Sequence, residues 1–144
     1  MISAAVLDAS VGIKLFIEEE GSAQADRLLG QLSASPPARF YVPDLFFIEC
    51  ANILWKYVRF FGYPADNARQ DVRDLGALAL RAVSTADLIA PALELALAWD
   101  LSAYDACYAA LAQQANLPLV TADERLGRRL AESGIDVQLL LSIQ

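Results

Sequence analysis

The feature that most constrains this chain is an alternation. Short apolar runs, each too brief for a helix, are separated by stretches with helical periodicity. The runs are Ala4–Leu7 (AAVL), Phe40–Val42, Arg81–Ser84 (RAVS), Pro118–Thr121 (PLVT) and Val137–Leu140 (VQLL). Apolar runs of this length bounded by turn residues read as buried strands. Between them, helices are expected over Ala9–Ile17, Ser22–Leu32, Asp44–Phe61 and Ala65–Leu80, from Thr85 or Asp87 to Trp99, from Ser102 to Asn116, and over Glu124–Glu132. Ala106, Ala109, Ala110 and Leu111 favour helix, and Asn116 with Pro118 stops it. Strands alternating with helices predict an α/β domain around a mainly parallel sheet.

No internal repeat, linker or low-complexity tract interrupts this pattern, so residues 1–144 read as one domain. A chain of this length buries roughly two thirds of its unfolded surface on folding. With 56% hydrophobic and 20% charged residues, disorder is not expected. No apolar run reaches the ~18 residues that span a bilayer. The N-terminus lacks a basic region and Asp8 interrupts its apolar stretch, so no signal peptide is read there and a soluble cytoplasmic protein is expected.

The composition also removes chemistries. There is no histidine, which excludes a histidine general base and histidine-ligated zinc. Cys50 and Cys107 each fall inside an expected helix, without a CxxC pattern, and read as small buried thiols. Neither a GxGxxG nor a GxxxxGK[ST] loop is present. Catalysis in such a chain rests on carboxylates, hydroxyls, lysine or a bound metal.

Four carboxylates stand out by position. Asp8 follows the first strand directly, and Asp123 follows the strand that ends at Thr121. In an α/β sheet the carboxyl ends of the strands are where ligands collect. Asp8 and Asp123 share an edge if those two strands are neighbours. Asp105 lies in the first turn of its helix, and Glu49 lies mid-helix among Phe46, Phe47, Ile48, Ile53 and Leu54. A plainer reading exists for each. Asp8 or Ser10 can cap the first helix, Asp123 the last, and Asp105 can belong to a capping box with Ser102. Glu49 resists that reading, because burying it without a partner is costly; Asn52 and Lys56 fall on its side of the helix.

Placed in one cleft, four carboxylates repel one another unless a cation neutralises them. Mg²⁺ and Mn²⁺ prefer oxygen ligands and retain waters that serve as nucleophiles. Two such ions ~3.5–4 Å apart stabilise both oxygens of a phosphodiester displacement. That chemistry needs no histidine.

Four segments carry a resemblance: VLDASV at residues 6–11, PDLFFIECANILWKY at 43–57, LSAYDACYAALA at 101–112 and LVTADERL at 119–126. In this order the chain resembles the PIN-domain ribonucleases, and among them the toxins of VapBC-type toxin–antitoxin pairs, from end to end. The resemblance implies a three-layer α/β/α fold with a central, mainly parallel sheet of four or five strands. It implies a Mg²⁺- or Mn²⁺-dependent endoribonuclease whose metal-holding and catalytic acids fall on Asp8, Glu49, Asp105 and Asp123. The supporting polar positions fall on Ser10, Asn52 and Thr121, and Tyr104 also matches. A cognate antitoxin and a homodimer are the partners it implies, the antitoxin presenting a basic residue to the acidic pocket.

RNA as substrate must be reconciled with a net charge of −7, since phosphate-binding surfaces are usually basic. Bound metal would reverse the sign of the cleft. Lys14, Arg125, Arg128 and Arg129 are the cations read as RNA contacts, with Lys56 and Arg59 on a helix near the acids. The Glu18–Glu20 run reads as a solvated corner. Aromatic residues crowd Phe46–Tyr63, mostly as core, with part of that surface expected to form a groove for a partner helix. The rival reading is a non-catalytic α/β interaction module whose acids are caps and surface charge. An aspartyl-phosphate enzyme is disfavoured, because Asp8-Ala9-Ser10 lacks the DxD pattern and RAVS ends without an acceptor aspartate.

Overall fold

A computed structural model describes residues 2–143. Its five strands are β1 (Ala4–Leu7), β2 (Arg39–Pro43), β3 (Arg81–Val83), β4 (Leu119–Thr121) and β5 (Val137–Leu139). They form one sheet in the order β3-β2-β1-β4-β5, and every pairing is parallel. The helices are α1 (Ala9–Gly12), α2 (Ser22–Gly30), α3 (Leu45–Phe61), α4 (Ala65–Ala77), α5 (Ile89–Trp99), α6 (Ala103–Ala115) and α7 (Glu124–Arg129). Short 3₁₀ turns follow α1 and α2 and precede α5.

A parallel sheet is covered on both faces, so its inner strands read as continuous apolar runs. β1 and β4 obey this: Ala5, Val6, Leu7, Leu119, Val120 and Thr121 are all fully buried. The edge strand β3 exposes Arg81 and Ala82, and the Arg81 guanidinium lies over the Tyr41 ring. Helix α6 packs on β1 and β2, α5 on α6, and α7 on β4 and β5, giving the expected α/β/α layering.

β1 is the centre of the topology. Its register pairs Val6 with Tyr41 of β2 on one side and with Leu119 of β4 on the other. The chain runs outward from β1 in one direction through β2 and β3, then returns to its other side through β4. That reversal is the switch point where open α/β sheets bind ligands, at the strands' carboxyl ends.

Helices α3 and α4 pack into the main core through Phe46, Cys50 and Leu75 and carry a second, smaller one. Gly62, at φ 71°, ends α3 in the left-handed conformation that glycine adopts without penalty. Leu54 packs there with Ile13 and Ile17 in a second small core. Asp44 does not cap α3 as its position suggests; its Oδ1 accepts the Thr85 N–H at 3.0 Å and ties the start of α3 to the end of β3.

Candidate functional site

Asp8 is the floor of the site. It follows β1, and its N–H is held by the Val120 carbonyl of β4 at 3.0 Å, which fixes the residue at the switch point. It occupies the N-cap position of α1 without capping it. Its Oδ2 instead accepts from the Ser10 hydroxyl at 2.6 Å and the Thr121 hydroxyl at 2.9 Å. The Ser10 oxygen in turn accepts the Ala122 N–H, and the Thr121 oxygen accepts the Asp123 N–H. Ser10 and Thr121 thus lock the β1–α1 turn to the β4–α7 turn with Asp8 between them. The supporting role expected for both residues has this geometry. Asp8 is only 7% exposed, and burial raises its pKa, with the Asp123 charge adding to the rise and the two hydroxyls opposing it.

The other acids face Asp8 from three further segments. Asp105 sits in the first turn of α6. Ser102 caps that helix by accepting the backbone N–H of Asp105 at 3.1 Å, so the expected cap uses main chain and leaves the carboxylate to the cleft. Its pKa is raised by burial and then by the charges of Asp8 and Asp123, opposed by the Ser102 side chain and, less, by Arg125. Glu49 comes from α3. Burial raises its pKa, and the charges of Asp8 and Asp105 add to it. Asp123 does cap α7, its Oδ1 accepting from the N–H groups of Arg125 and Leu126 at 2.9 and 3.3 Å. The plainer capping reading therefore holds for Asp123, yet its charge still acts on Asp8 and Asp105.

The partner that Glu49 requires is one the sequence did not single out. The Tyr108 hydroxyl of α6 donates to Glu49 Oε1 at 2.6 Å. Tyr108 is fully buried, and its pKa is raised by burial and by the Asp8 and Glu49 charges. Asn52 and Lys56, placed beside Glu49 by helical spacing, stand exposed farther along α3. The only hint in the sequence was Tyr108 itself, one turn after Asp105 in an alanine-rich helix. Cys50, beneath the same carboxylates, has its pKa pushed up to about 12 by burial and their charge, so it remains a thiol at neutral pH.

The expected cations divide. The Lys14 side chain is 10% exposed and its ammonium pairs with Glu19 at 2.9 Å, while the Tyr57 hydroxyl donates to the other Glu19 oxygen. Lys14 is thus a fastener between the turn after α1 and α3, and Glu19 is no free solvated corner. Arg129 donates to the Asp100 carbonyl and lies 3.4 Å from its carboxylate, joining α7 to the α5–α6 turn. Arg128 faces Glu124 at 3.9 Å. Arg125 forms no such pair among the described residues. It lines a pocket of about 130 Å³ together with Ser102, Asp105, Asp123 and Arg129.

The donor set of the cleft is all oxygen and all anionic, which suits a hard divalent cation and not a soft one. Among the described residues no three acidic or thiol side chains stand close enough together to hold a metal ion between them. An open arrangement suits Mg²⁺, which keeps several waters and is commonly bound through one or two carboxylates plus substrate phosphate. Without a cation, neighbouring carboxylate charges add to the raised pKa values of Asp8, Glu49 and Asp105; a bound cation would offset that repulsion.

Comparison with known proteins gives a consistent family. The sequence matches the family model of the PIN domain over residues 5–131. It is 34% identical over 126 residues to Ribonuclease VapC3 of Pyrobaculum aerophilum, an alignment that covers 86% of this chain and 92% of that relative. The crystal structure of PAE2754 from Pyrobaculum aerophilum superposes with a TM-score of 0.67 at 22% identity, covering 98% of this chain and 85% of that one. A toxin–antitoxin complex from Klebsiella pneumoniae gives a TM-score of 0.66 at 21% identity, covering 94% of this chain and 97% of that one. These two likenesses bear on the fold.

Proposed function

This chain belongs to the PIN domain family, and we propose that it is an endoribonuclease, the toxin of a toxin–antitoxin pair, working with Mg²⁺ or Mn²⁺. What supports this reading is that Asp8, at the switch point of the sheet, acts electrostatically on Glu49 and Asp105, and Asp123 on Asp8 and Asp105, although the four come from separate segments. A relative 34% identical to this chain is named a ribonuclease. A divalent cation held by these acids would supply Lewis acidity and an activated water for phosphodiester hydrolysis.

The chain's own residues do the rest. Ser10 and Thr121 hold Asp8 by its Oδ2 and so fix the floor of the cleft. The buried surroundings of Asp8 keep bulk water from screening its charge, which strengthens its pull on a cation. Asp105 and Asp123 wall one side beside Arg125, whose guanidinium is suited to a phosphate of the RNA strand. Arg125 is therefore the basic contact this reading retains, with Arg129 shaping the pocket through its own pair with Asp100.

The antitoxin is assigned to the outer face of α3 and α4. An apolar groove between α3 and α4 is lined by Ala51, Trp55, Val58, Ala68 and Val72. Trp55, Phe60 and Phe61 are more than half exposed nearby, a surface that fits the apolar face of a partner helix. Self-association as a homodimer remains part of the proposal.

The test is cleavage of structured RNA by the purified chain with Mg²⁺, Mn²⁺ or EDTA, alongside Asp105→Asn. Cutting that needs the cation and disappears in the variant supports the reading. RNA cut equally in EDTA, or by the variant, overturns it. If the chain neither cuts nor changes its melting temperature with Mn²⁺, the interaction-module reading replaces it.

A further inference from the structure

We propose that Tyr108 is the positioning residue that prepares Glu49 for the cation, so that metal affinity at this site depends on a side chain wholly inside the core. The inference rests on the proposed metal-dependent reading of the cleft and deepens it.

The geometry is specific. Glu49 is on α3 and Tyr108 on α6, separated by 59 positions in sequence, yet the hydroxyl reaches Glu49 Oε1 at 2.6 Å. That is the short distance of a donor on an ionised acceptor. Tyr108 is at 0% exposure and packs within the main core, so its ring has no second place to go. Its helix is anchored at the same site by the Ser102 cap, three residues before Asp105, whose N–H it accepts. Asp105 and Tyr108 are three positions apart and share a face of α6. One rigid helix therefore supplies a carboxylate to the cleft and the hydroxyl that aims the carboxylate opposite.

The contact resolves a conflict in α3. A glutamate chain loses much rotamer freedom when it is held in one place, and Ile48 and Asn52 beside it are exposed and give it no support. Without the hydroxyl, Glu49 would turn outward along α3 to escape Asp8 and Asp105. With it, Oε1 is held and the carboxylate stays directed at the other acids. Hydrogen-bonding partners of metal-binding groups typically change affinity or activity 10–100-fold when removed.

The experiment is a Mn²⁺ titration by calorimetry of the full chain, comparing wild type, Tyr108→Phe, Glu49→Gln and the double variant. Tyr108→Phe should weaken Mn²⁺ binding about tenfold or more, while cleavage at saturating Mn²⁺ returns to within a few-fold of wild type. Adding Tyr108→Phe to Glu49→Gln should cost no further affinity, because the hydroxyl acts only through Glu49. Wild-type affinity in Tyr108→Phe, or fully additive losses in the double variant, overturns the proposal while leaving the metal centre standing. A wild-type chain that binds no Mn²⁺ overturns the metal reading and this proposal together. Should Tyr108→Phe not fold, a Mg²⁺ titration of tyrosine-labelled wild type, followed by NMR, replaces it. The Tyr108 ring signals should shift with Mg²⁺ although the ring is buried; unmoved signals overturn the proposal.

Discussion

Gly12→Ala tests whether the spacing between α1 and α3 sets the cleft. Gly12 ends α1, four residues after Asp8, and faces α3. A Cβ built on it would stand 2.5 Å from Cζ and 2.9 Å from Cε2 of Phe46. Ordinary carbon contacts begin near 3.5 Å, so the ring or the helix must retreat by about 1 Å. Phe46 has little room: it is 1% exposed and stands edge-on to Phe47 at 5.3 Å between ring centroids. Overpacking a core of this kind costs about 1–3 kcal/mol, against which alanine regains at most about 1 kcal/mol of helix propensity over glycine. The net loss is about 0–3 kcal/mol, or a fall in melting temperature of up to about 12 °C at roughly 2–4 °C per kcal/mol. The functional loss should be larger than the thermal one. Phe46 lies one helical turn before Glu49, so moving α3 away from α1 separates Glu49 from Asp8, and misplacement of about 1 Å can cost ~100-fold in rate. Thermal melts paired with RNA-cleavage rates at saturating Mn²⁺ check both. A variant that melts at or above wild type and cuts at the wild-type rate would refute the reasoning, because the ring would have moved aside without disturbing the cleft.

Asp8→Asn keeps an acceptor for Ser10 and Thr121 but removes the buried charge. The metal-free variant should melt no lower than wild type, and Mn²⁺ at a hundredfold over the wild-type dissociation constant should stabilise wild type by about 2.7 kcal/mol and the variant hardly at all. The folded-state pKa values of Asp8, Glu49 and Asp105 are all raised, chiefly by burial. The folded chain therefore binds more protons than the unfolded one, and metal-free stability should fall as pH climbs above the ordinary carboxylate range, a fall that Mg²⁺ suppresses; melts across pH with and without Mg²⁺ read this directly. Arg125→Ala should lower the log–log salt slope of RNA binding by roughly 0.7–1, while Arg128→Ala leaves it unchanged. Trp55→Ala should weaken antitoxin binding by at least about 2 kcal/mol in calorimetry without altering cleavage by the free chain.

The strands were legible because each inner one is a continuous apolar run, which is what burial on both faces of a parallel sheet demands. Asp8, Asp105 and Asp123 were legible because they stand at element ends, where position in sequence nearly fixes position in space. Long-range partners were not. Nothing in the spacing of α3 shows that Glu49 meets Tyr108, so helical neighbours Asn52 and Lys56 were the natural expectation. The pairing of the cations was hidden in the same way: Lys14 follows Asp8 closely in the chain, but its four-carbon stem lies against the fold and ends on Glu19. Charge type can be read from a sequence, whereas which charge is already paired depends on tertiary packing. Gly12 was silent because a glycine shows its purpose only when the ring that needs its missing Cβ is in place.

The most direct measurement is the anomalous difference density of crystals of this chain soaked in Mn²⁺. The account predicts a peak between Asp8, Asp105 and Asp123 within reach of Glu49, lost in crystals of Asp8→Asn. A Mn²⁺-saturated crystal with no peak in that cleft, or with its peak elsewhere on the surface, would contradict the claim that these four acids form the metal centre.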